Sequence, residues 1–369
     1  MYKKITKIVL TGGPCGGKTN SLSTIEQRLN ELGYKVLIVP EAATEIINNA
    51  VKPWEQLISN KKFQSFLLEY QIAREKTYLK IAKEMKHNKI VILFDRGTVD
   101  GKAYITEEEF SEILREKELT EEELKSRYNA VIHLRTAAIG AEEFYTLKNN
   151  KARSDSKQKA IDLDNKLVSA WTGHNNFKII DNSTDFEEKI ERVLKEVLML
   201  LNEPVPIKIE KKFLVKKPDL EKLLEQENCQ KLFIKQTYLL SNDKKVEKRL
   251  RQIGKDGNYS YFYGIKQHLS GSTSSILEEK INKKEYNLLR TTADSRLKEI
   301  TKERYCFVYN NLYFKLDIYH FWKYVAILEV ELTEENQEFE TPFLINVIRD
   351  VTDDKNFKNI AIAKKIPLV

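Results

Sequence analysis

The stretch Gly12-Gly13-Pro14-Cys15-Gly16-Gly17-Lys18-Thr19 follows the apolar run Ile8-Val9-Leu10 and leads into a helix-compatible segment. Small residues let successive backbone N–H groups curl around the α/β-phosphates of a nucleotide. A lysine at this spacing reaches the β/γ-phosphates, and the Thr19 hydroxyl is placed to ligate Mg²⁺. The following helix turns its N-terminal dipole, worth roughly half a positive charge, toward the same anion. A turn that only joined a strand to a helix would need neither Lys18 nor Thr19. The motif, a P-loop, therefore commits the chain to a strand, a phosphate-binding loop and a helix in that order, with Gly12 to Thr19 as nucleotide-binding residues.

Around this loop, five β-rich runs recur at Ile5–Thr11, Lys35–Pro40, Lys89–Asp95, Ala130–Arg135 and Phe177–Asp181, separated by helix-length segments. That alternation predicts an α/β domain over residues 1–203, with a parallel sheet and helices on both faces. Phe63, Phe66, Leu67, Tyr70, Ala73 and Thr77 recur at helical spacing and read as a core stripe, whereas Glu107–Glu123, with nine glutamates, reads as a solvated helical pair.

The third run ends in Asp95, a carboxylate delivered to the ligand edge as Walker-B strands do for Mg²⁺. Arg96 either touches phosphate or neutralises Asp95. Glu41, closing the second run, either faces an acceptor hydroxyl or sits at a helix N-terminus. Arg153, in the polar segment before a helix bearing Asp162 and Asp164, is either a lid arginine that offsets transferring charge or a solvated loop residue. Glu41, Asp95 and Arg153 are thus the catalytic candidates, and His174 reads as structural. The segments Thr11–Thr19, Pro40–Thr44, Asp95–Asp100, Thr136–Tyr145, Ala152-Arg153, Trp171–His174 and Asp181–Thr184 together resemble the small P-loop domain shared by ribosylnicotinamide kinase and the TRP-channel translocation-defect protein family of insects. The second is nearer, through Leu134–Ala138 and Glu142–Thr146. The resemblance implies GTP or ATP as ligand. No Asn-Lys-x-Asp base reader is present, which leaves the base open and Asp181–Thr184, with Asn182, as the expected base contact.

From Pro206 the periodicity becomes period two, with charges on one face of each strand: Lys208, Glu210 and Lys212; Arg249 and Arg251; Lys302 and Arg304; Lys315 and Asp317; Glu329 and Glu331. This is either one solvated face of an open antiparallel sheet or a closed lumen for polyphosphate, with arginine forks on phosphate oxygens and carboxylates on Mg²⁺ or Mn²⁺. Residues 204–369 resemble the CYTH, or triphosphate tunnel, family, an α+β fold built on an antiparallel β tunnel. The resemblance rests on Lys235–Tyr238, Arg249-Leu250-Arg251, Lys266, Glu278, Lys302-Glu303-Arg304, Asp317 and Glu329-Val330-Glu331. It implies phosphate binding by Lys212, Arg249, Arg251, Lys266, Lys302 and Arg304, and metal ligation by Glu210, Glu278, Asp317, Glu329 and Glu331. The family's opening Glu-x-Glu-x-Lys stands here as Lys208-Ile209-Glu210-Lys211-Lys212, and the lysine in place of the first carboxylate argues against hydrolysis.

Joined in this order, the two halves resemble the translocation-defect protein along nearly its whole length, which implies nucleotide and phosphoinositide binding. Charge supports an anionic partner for the second half: 32 basic residues stand against 31 acidic before Pro204, and 30 against 24 after it. Without an aromatic-basic stacking platform, nucleic acid is not the expected partner. Three scattered cysteines exclude a disulfide framework. No apolar run reaches ~18 residues, so the expected place is the cytosol or a cytosol-facing membrane surface. Two classes stay open: an NTP-gated binding protein, and an enzyme that is either a kinase of a hydroxyl-bearing acceptor or a tunnel triphosphatase.

Overall fold

Ile8, Val9 and Leu10 are fully buried, as a parallel strand covered on both faces requires, and they form the middle of β1 (Lys4–Thr11). In this computed structural model β1 is joined by β2 (Lys35–Val39), β3 (Lys89–Asp95), β4 (Ala130–Leu134) and β5 (Phe177–Ile180), all parallel, in the order β2-β3-β1-β4-β5. The structure describes residues 3–142, 157–203, 209–226, 228–243, 246–268, 274–332 and 337–369. It divides into two units, Met1–Glu203 and Pro204–Val369.

In the first unit the helices are α1 (Lys18–Glu31), α2 (Ala42–Asn49), α3 (Asn60–Glu84), α4 (Glu107–Glu116), α5 (Glu121–Lys125), α6 (Lys157–Trp171) and α7 (Phe186–Leu201). Right-handed crossovers put α1 and α7 on one face, where they pack together, and the others on the opposite face. The chain leaves β1 toward β2 on one side and later returns to β4 on the other. This is the topological switch at which open sheets hold ligands.

Two expectations need correction. On α3, Phe63 and Leu67 are buried, but Phe66 is 55% exposed and Ala73 and Thr77 face solvent. The helix covers a sheet edge with a narrower stripe that also contains Gln64, Leu68 and Glu75. The glutamate run does form two helices, each started by a capping box, Thr106 with Glu109 and Thr120 with Glu123. Yet Glu121 is not solvated. Burial alone would raise its pKa, but Lys125 at 2.7 Å and Lys102 at 2.9 Å hold it far below the usual range.

The second unit is an antiparallel sheet of β6 (Ile209–Lys216), β7 (Gln230–Leu239), β8 (Val246–Lys255), β9 (Asn258–His268), β10 (Ser274–Ile281), β11 (Ile300–Tyr309), β12 (Leu312–Tyr319), β13 (Val325–Leu332) and β14 (Val347–Asp350). The order is β10-β9-β8-β7-β11-β12-β13-β6-β14. It is rolled. Lys266 on β9 lies six strands from Glu210 on β6, roughly 29 Å across a flat sheet, yet its pKa, lowered by burial, is under the opposing pull of the Glu210 charge. Lys212 on β6 likewise acts on Tyr238, four strands away on β7. Charges act on one another strongly only within about 10 Å. Among the described residues no pairing joins β10 to β14.

Apolar residues on the other face, including Val215, Phe307, Phe314, Leu316, Leu328 and Val330, form a core with Leu223 of α8 (Leu220–Leu224). Near one end of the roll, Leu214, Tyr319, Trp322 and Ile327 pack against Phe357, Ile362 and Ala363 of the C-terminal segment and α10 (Asn359–Lys364). On the opposite flank, α9 (Lys283–Arg290) sets Tyr286 against Leu239 and Leu250.

Candidate functional site

The phosphate loop leaves β1 with Gly12 at φ 141°, and a Cβ there would lie 2.0 Å from the Leu134 carbonyl oxygen. Only glycine lets the loop cross so close to β4. Gly17 ends the loop in a left-handed conformation as the N-cap of α1, so Lys18 and Thr19 stand on the first helical turn. Lys18 Nζ donates to the carbonyls of Gly12 and Gly13, both at 2.9 Å. The ammonium is thereby held over the loop.

Around Lys18 gather Asp95, Glu41 and Arg96. Burial raises the Asp95 pKa while Lys18 lowers it, and its Oδ1 is buried and accepts no hydrogen bond. An orphaned carboxylate oxygen beside the phosphate loop suits Mg²⁺, with Thr19 as the second protein ligand. Arg96 has φ 75° and donates from Nε to Glu41 Oε1 at 3.1 Å. It thus spends its charge on Glu41, with Asp100 at 3.7 Å. Glu41 also accepts from Thr44 Oγ1. Burial works to raise its pKa, but Arg96 and that hydrogen bond bring it below its ordinary value.

Two expected site residues fare differently. Asn182 is committed to structure: its amide donates to the carbonyls of Thr136 and Ile139 at 2.8 and 2.6 Å, and its Oδ1 accepts from Lys189. Its side chain pins a loop and has no group left to read a base. Arg153 lies outside the described residues, as does Lys208. His174 is structural, lying within 3.2 Å of the Tyr128 carbonyl and accepting from Asn176 N.

In the second unit, strand register places Glu210, Lys212, Arg249, Arg251, Lys266, Glu278, Lys302, Arg304, Asp317, Glu329 and Glu331 on one face of the rolled sheet. Lys302 is 2% exposed and Asp317 0%. Burial pulls the Lys302 pKa down to about 8 against the opposing pull of Asp317. Each carboxylate is paired with a cation of the same face: Glu278 with Arg251 Nε at 2.8 Å, Asp317 with Arg304 Nε at 2.6 Å and Glu331 with Lys315 at 3.1 Å. Lys212 Nζ lies between Glu210 at 3.1 Å and Glu329 at 2.8 Å. Among the described residues no three acidic, histidine or cysteine side chains gather as a metal site. As placed, these donors serve lysine and arginine and do not fit a resident metal. By contrast, Arg249 Nε is buried and finds no acceptor, an open donor on a face rich in cations.

Residues 7–189 match the AAA domain family model. The match covers the P-loop unit through the first turn of α7. No curated relative matches the chain. Among solved structures, the inorganic triphosphatase NE1496 is 28% identical over 44% of this chain and 99% of its own, with a TM-score of 0.33. The PH1819 protein of Pyrococcus horikoshii OT3 is 17% identical over 34% of this chain and 80% of its own, with a TM-score of 0.26.

Sequence reasoning passed over the residue that fastens the phosphate loop of the first unit. Asp164 of α6, 0% exposed, accepts from Gly13 N at 2.7 Å and Thr136 N at 3.2 Å, and from Arg135 at 2.8 Å, with His133 Nε2 at 3.1 Å. Burial works to raise its pKa, but His133 and Arg135 hold it well below the usual range. The signal was there to be read. Ala160, Asp164, Leu167, Val168 and Trp171 share the buried stripe of α6, and a carboxylate on an apolar stripe must have partners.

Proposed function

We propose that the first unit binds Mg-NTP and that the rolled sheet of the second unit binds a phosphorylated anion such as polyphosphate, an inositol phosphate or a phosphoinositide headgroup. The observation that carries the first part is the juxtaposition of Lys18 on the loop with the orphaned, buried Oδ1 of Asp95. Lys18 supplies the cation for the β/γ-phosphates, Gly12 to Gly17 supply the cradle, and Thr19 and Asp95 hold the metal that shields the phosphate charge. GTP and ATP both satisfy these contacts. The second part is supported by the face that carries Arg249, Arg251, Lys266, Lys302 and Arg304, with Arg249 Nε lacking an acceptor.

A kinase is the second reading. Glu41 lies beside Asp95 with its pKa lowered by Arg96 and Thr44 against burial, so an acceptor hydroxyl brought to this edge would meet a carboxylate. Tunnel hydrolysis has less support, because the carboxylates it would use are already paired.

Thermal melts of the purified chain test the reading. Mg-NTP at 100 times its Kd stabilises by about 2.7 kcal/mol, roughly 5–11 °C for a unit of this size. Lys18→Ala removes this shift and leaves the shift from tripolyphosphate. Asp95→Asn weakens Mg-NTP more than metal-free NTP. An unchanged Mg-NTP shift in Lys18→Ala would overturn the P-loop assignment, and conversion of an added nucleoside to its phosphate, lost in Glu41→Gln, would promote the kinase reading.

A further inference from the structure

Phe186 is the first residue of α7, directly after the loop that leaves β5, and it is 46% exposed. An apolar ring so open to water belongs to none of the described cores. Its place is specific. The ring lies against Gly17, where a Cβ would come within 2.9 Å of Cε2, so it borders the residue that ends the phosphate loop and caps α1. Its backbone is fixed by Asp185, whose side chain accepts from Glu188 N, and by the packing of α7 on α1.

The polar groups of the loop between β5 and α7 are already committed. Asp181 is held by Arg192 at 2.9 Å and by Ser183 Oγ at 2.6 Å. Asn182 pins Thr136 and Ile139. What this corner offers a ligand is an open aromatic surface against the end of the loop. We propose that Phe186 is the stacking platform for the nucleobase, so that the base is held by its π-face and adenine and guanine nucleotides are both accepted. This rests on the Mg-NTP reading of the same unit. Every base has a face, and stacking on an aromatic side chain contributes about 1–3 kcal/mol by alanine substitution without selecting the base. Position and exposure together distinguish the ring from a core residue, whose surface would be buried, and from a chance surface aromatic, which would not border the phosphate loop.

Calorimetry and fluorescence of the whole chain test this. Phe186→Ala raises the Kd of Mg-ATP and of Mg-GTP by about tenfold, equivalent to about 1.4 kcal/mol, while Phe186→Trp binds both at least as tightly as the natural protein. The fluorescence that Phe186→Trp adds to that of the three native tryptophans is quenched by Mg-ATP and not by Mg-tripolyphosphate, which has no base. That quench disappears when Lys18→Ala is added. A Kd within twofold of the natural value in Phe186→Ala, or equal quenching by tripolyphosphate, overturns the platform while leaving the nucleotide site intact. Failure of the natural protein to bind Mg-ATP overturns the reading on which it rests.

Discussion

Asp164 shows how much a single buried carboxylate can decide. It receives two loop amides and the Arg135 guanidinium, so it shapes the phosphate loop before any ligand arrives. Removing it leaves donors buried without acceptors, and breaking such a network costs about 3–5 kcal/mol. Asp164→Ala is therefore expected to melt well below the natural protein by calorimetry. Asp164→Asn, which keeps an acceptor for Gly13 N, should recover a large part of the loss. Lys189 poses the opposite problem. It is 3% exposed, and burial pulls its pKa down to about 8 while it donates to the Arg135 carbonyl and to Asn182. Between pH 8 and the usual lysine value near 10.4, the folded chain has shed a proton that the unfolded chain still holds, so stability rises with pH in that window. Against Lys189→Met, denaturant melts should show the natural protein gaining up to about 1.4 kcal/mol per pH unit there. A flat difference from pH 7.5 to 10 would mean that Lys189 keeps its proton.

Among the elements, β8 offers the clearest test of which face binds anions. Arg249 and Arg251 alternate with the buried Leu250, so both point to the charged face while Leu250 packs with Tyr286 of α9. Burial lowers the Arg251 pKa against the opposing pull of Glu278, so Arg251 must exchange Glu278 for an anion, whereas Arg249 Nε finds no acceptor and its guanidinium keeps only longer ion pairs, with Glu247 at 3.9 Å and Glu278 at 4.0 Å. A hydrogen bond to a charged group contributes about 1.5–3 kcal/mol. Arg249→Ala with Arg251→Ala should accordingly lower tripolyphosphate affinity by at least about tenfold, measured by calorimetry, with Mg-NTP binding at the first unit unchanged. Tripolyphosphate bound as before by this variant would place the anion site elsewhere.

For the whole molecule, the two proposed sites are expected to differ in their dependence on metal. The phosphate loop has Thr19 and an orphaned Asp95 oxygen to offer Mg²⁺, while the carboxylates of the rolled sheet are neutralised by lysine and arginine, with Lys212 Nζ between Glu210 and Glu329. Chelation of divalent ions should therefore reduce the thermal shift from NTP and leave the shift from tripolyphosphate in place. Loss of both on adding EDTA would show that the sheet's carboxylates leave their ion pairs to take up metal.

Local sequence determined the parts whose physics is local. The strand, glycine loop and Lys18-Thr19 follow from backbone sterics and dipoles, and the five parallel strands were legible to within a residue or two at each end because runs buried on both faces must be apolar. Period-two charges likewise put Arg249 with Arg251, Lys302 with Arg304 and Glu329 with Glu331 on one face of their own strands, since the alternation of a strand admits no other arrangement, while strand register joined those faces into one. What tertiary structure alone decided is which partner each charge takes. Arg96 turns to Glu41, Asn182 gives its amide to the loop after β4, and Asp164 reaches Gly13 across 151 positions of chain. Phe66 and Phe186 remain open to water although both are phenylalanines in amphipathic helices. Pairing and exposure depend on distances between segments remote in sequence, and periodicity along one segment carries no information about its neighbour across the fold.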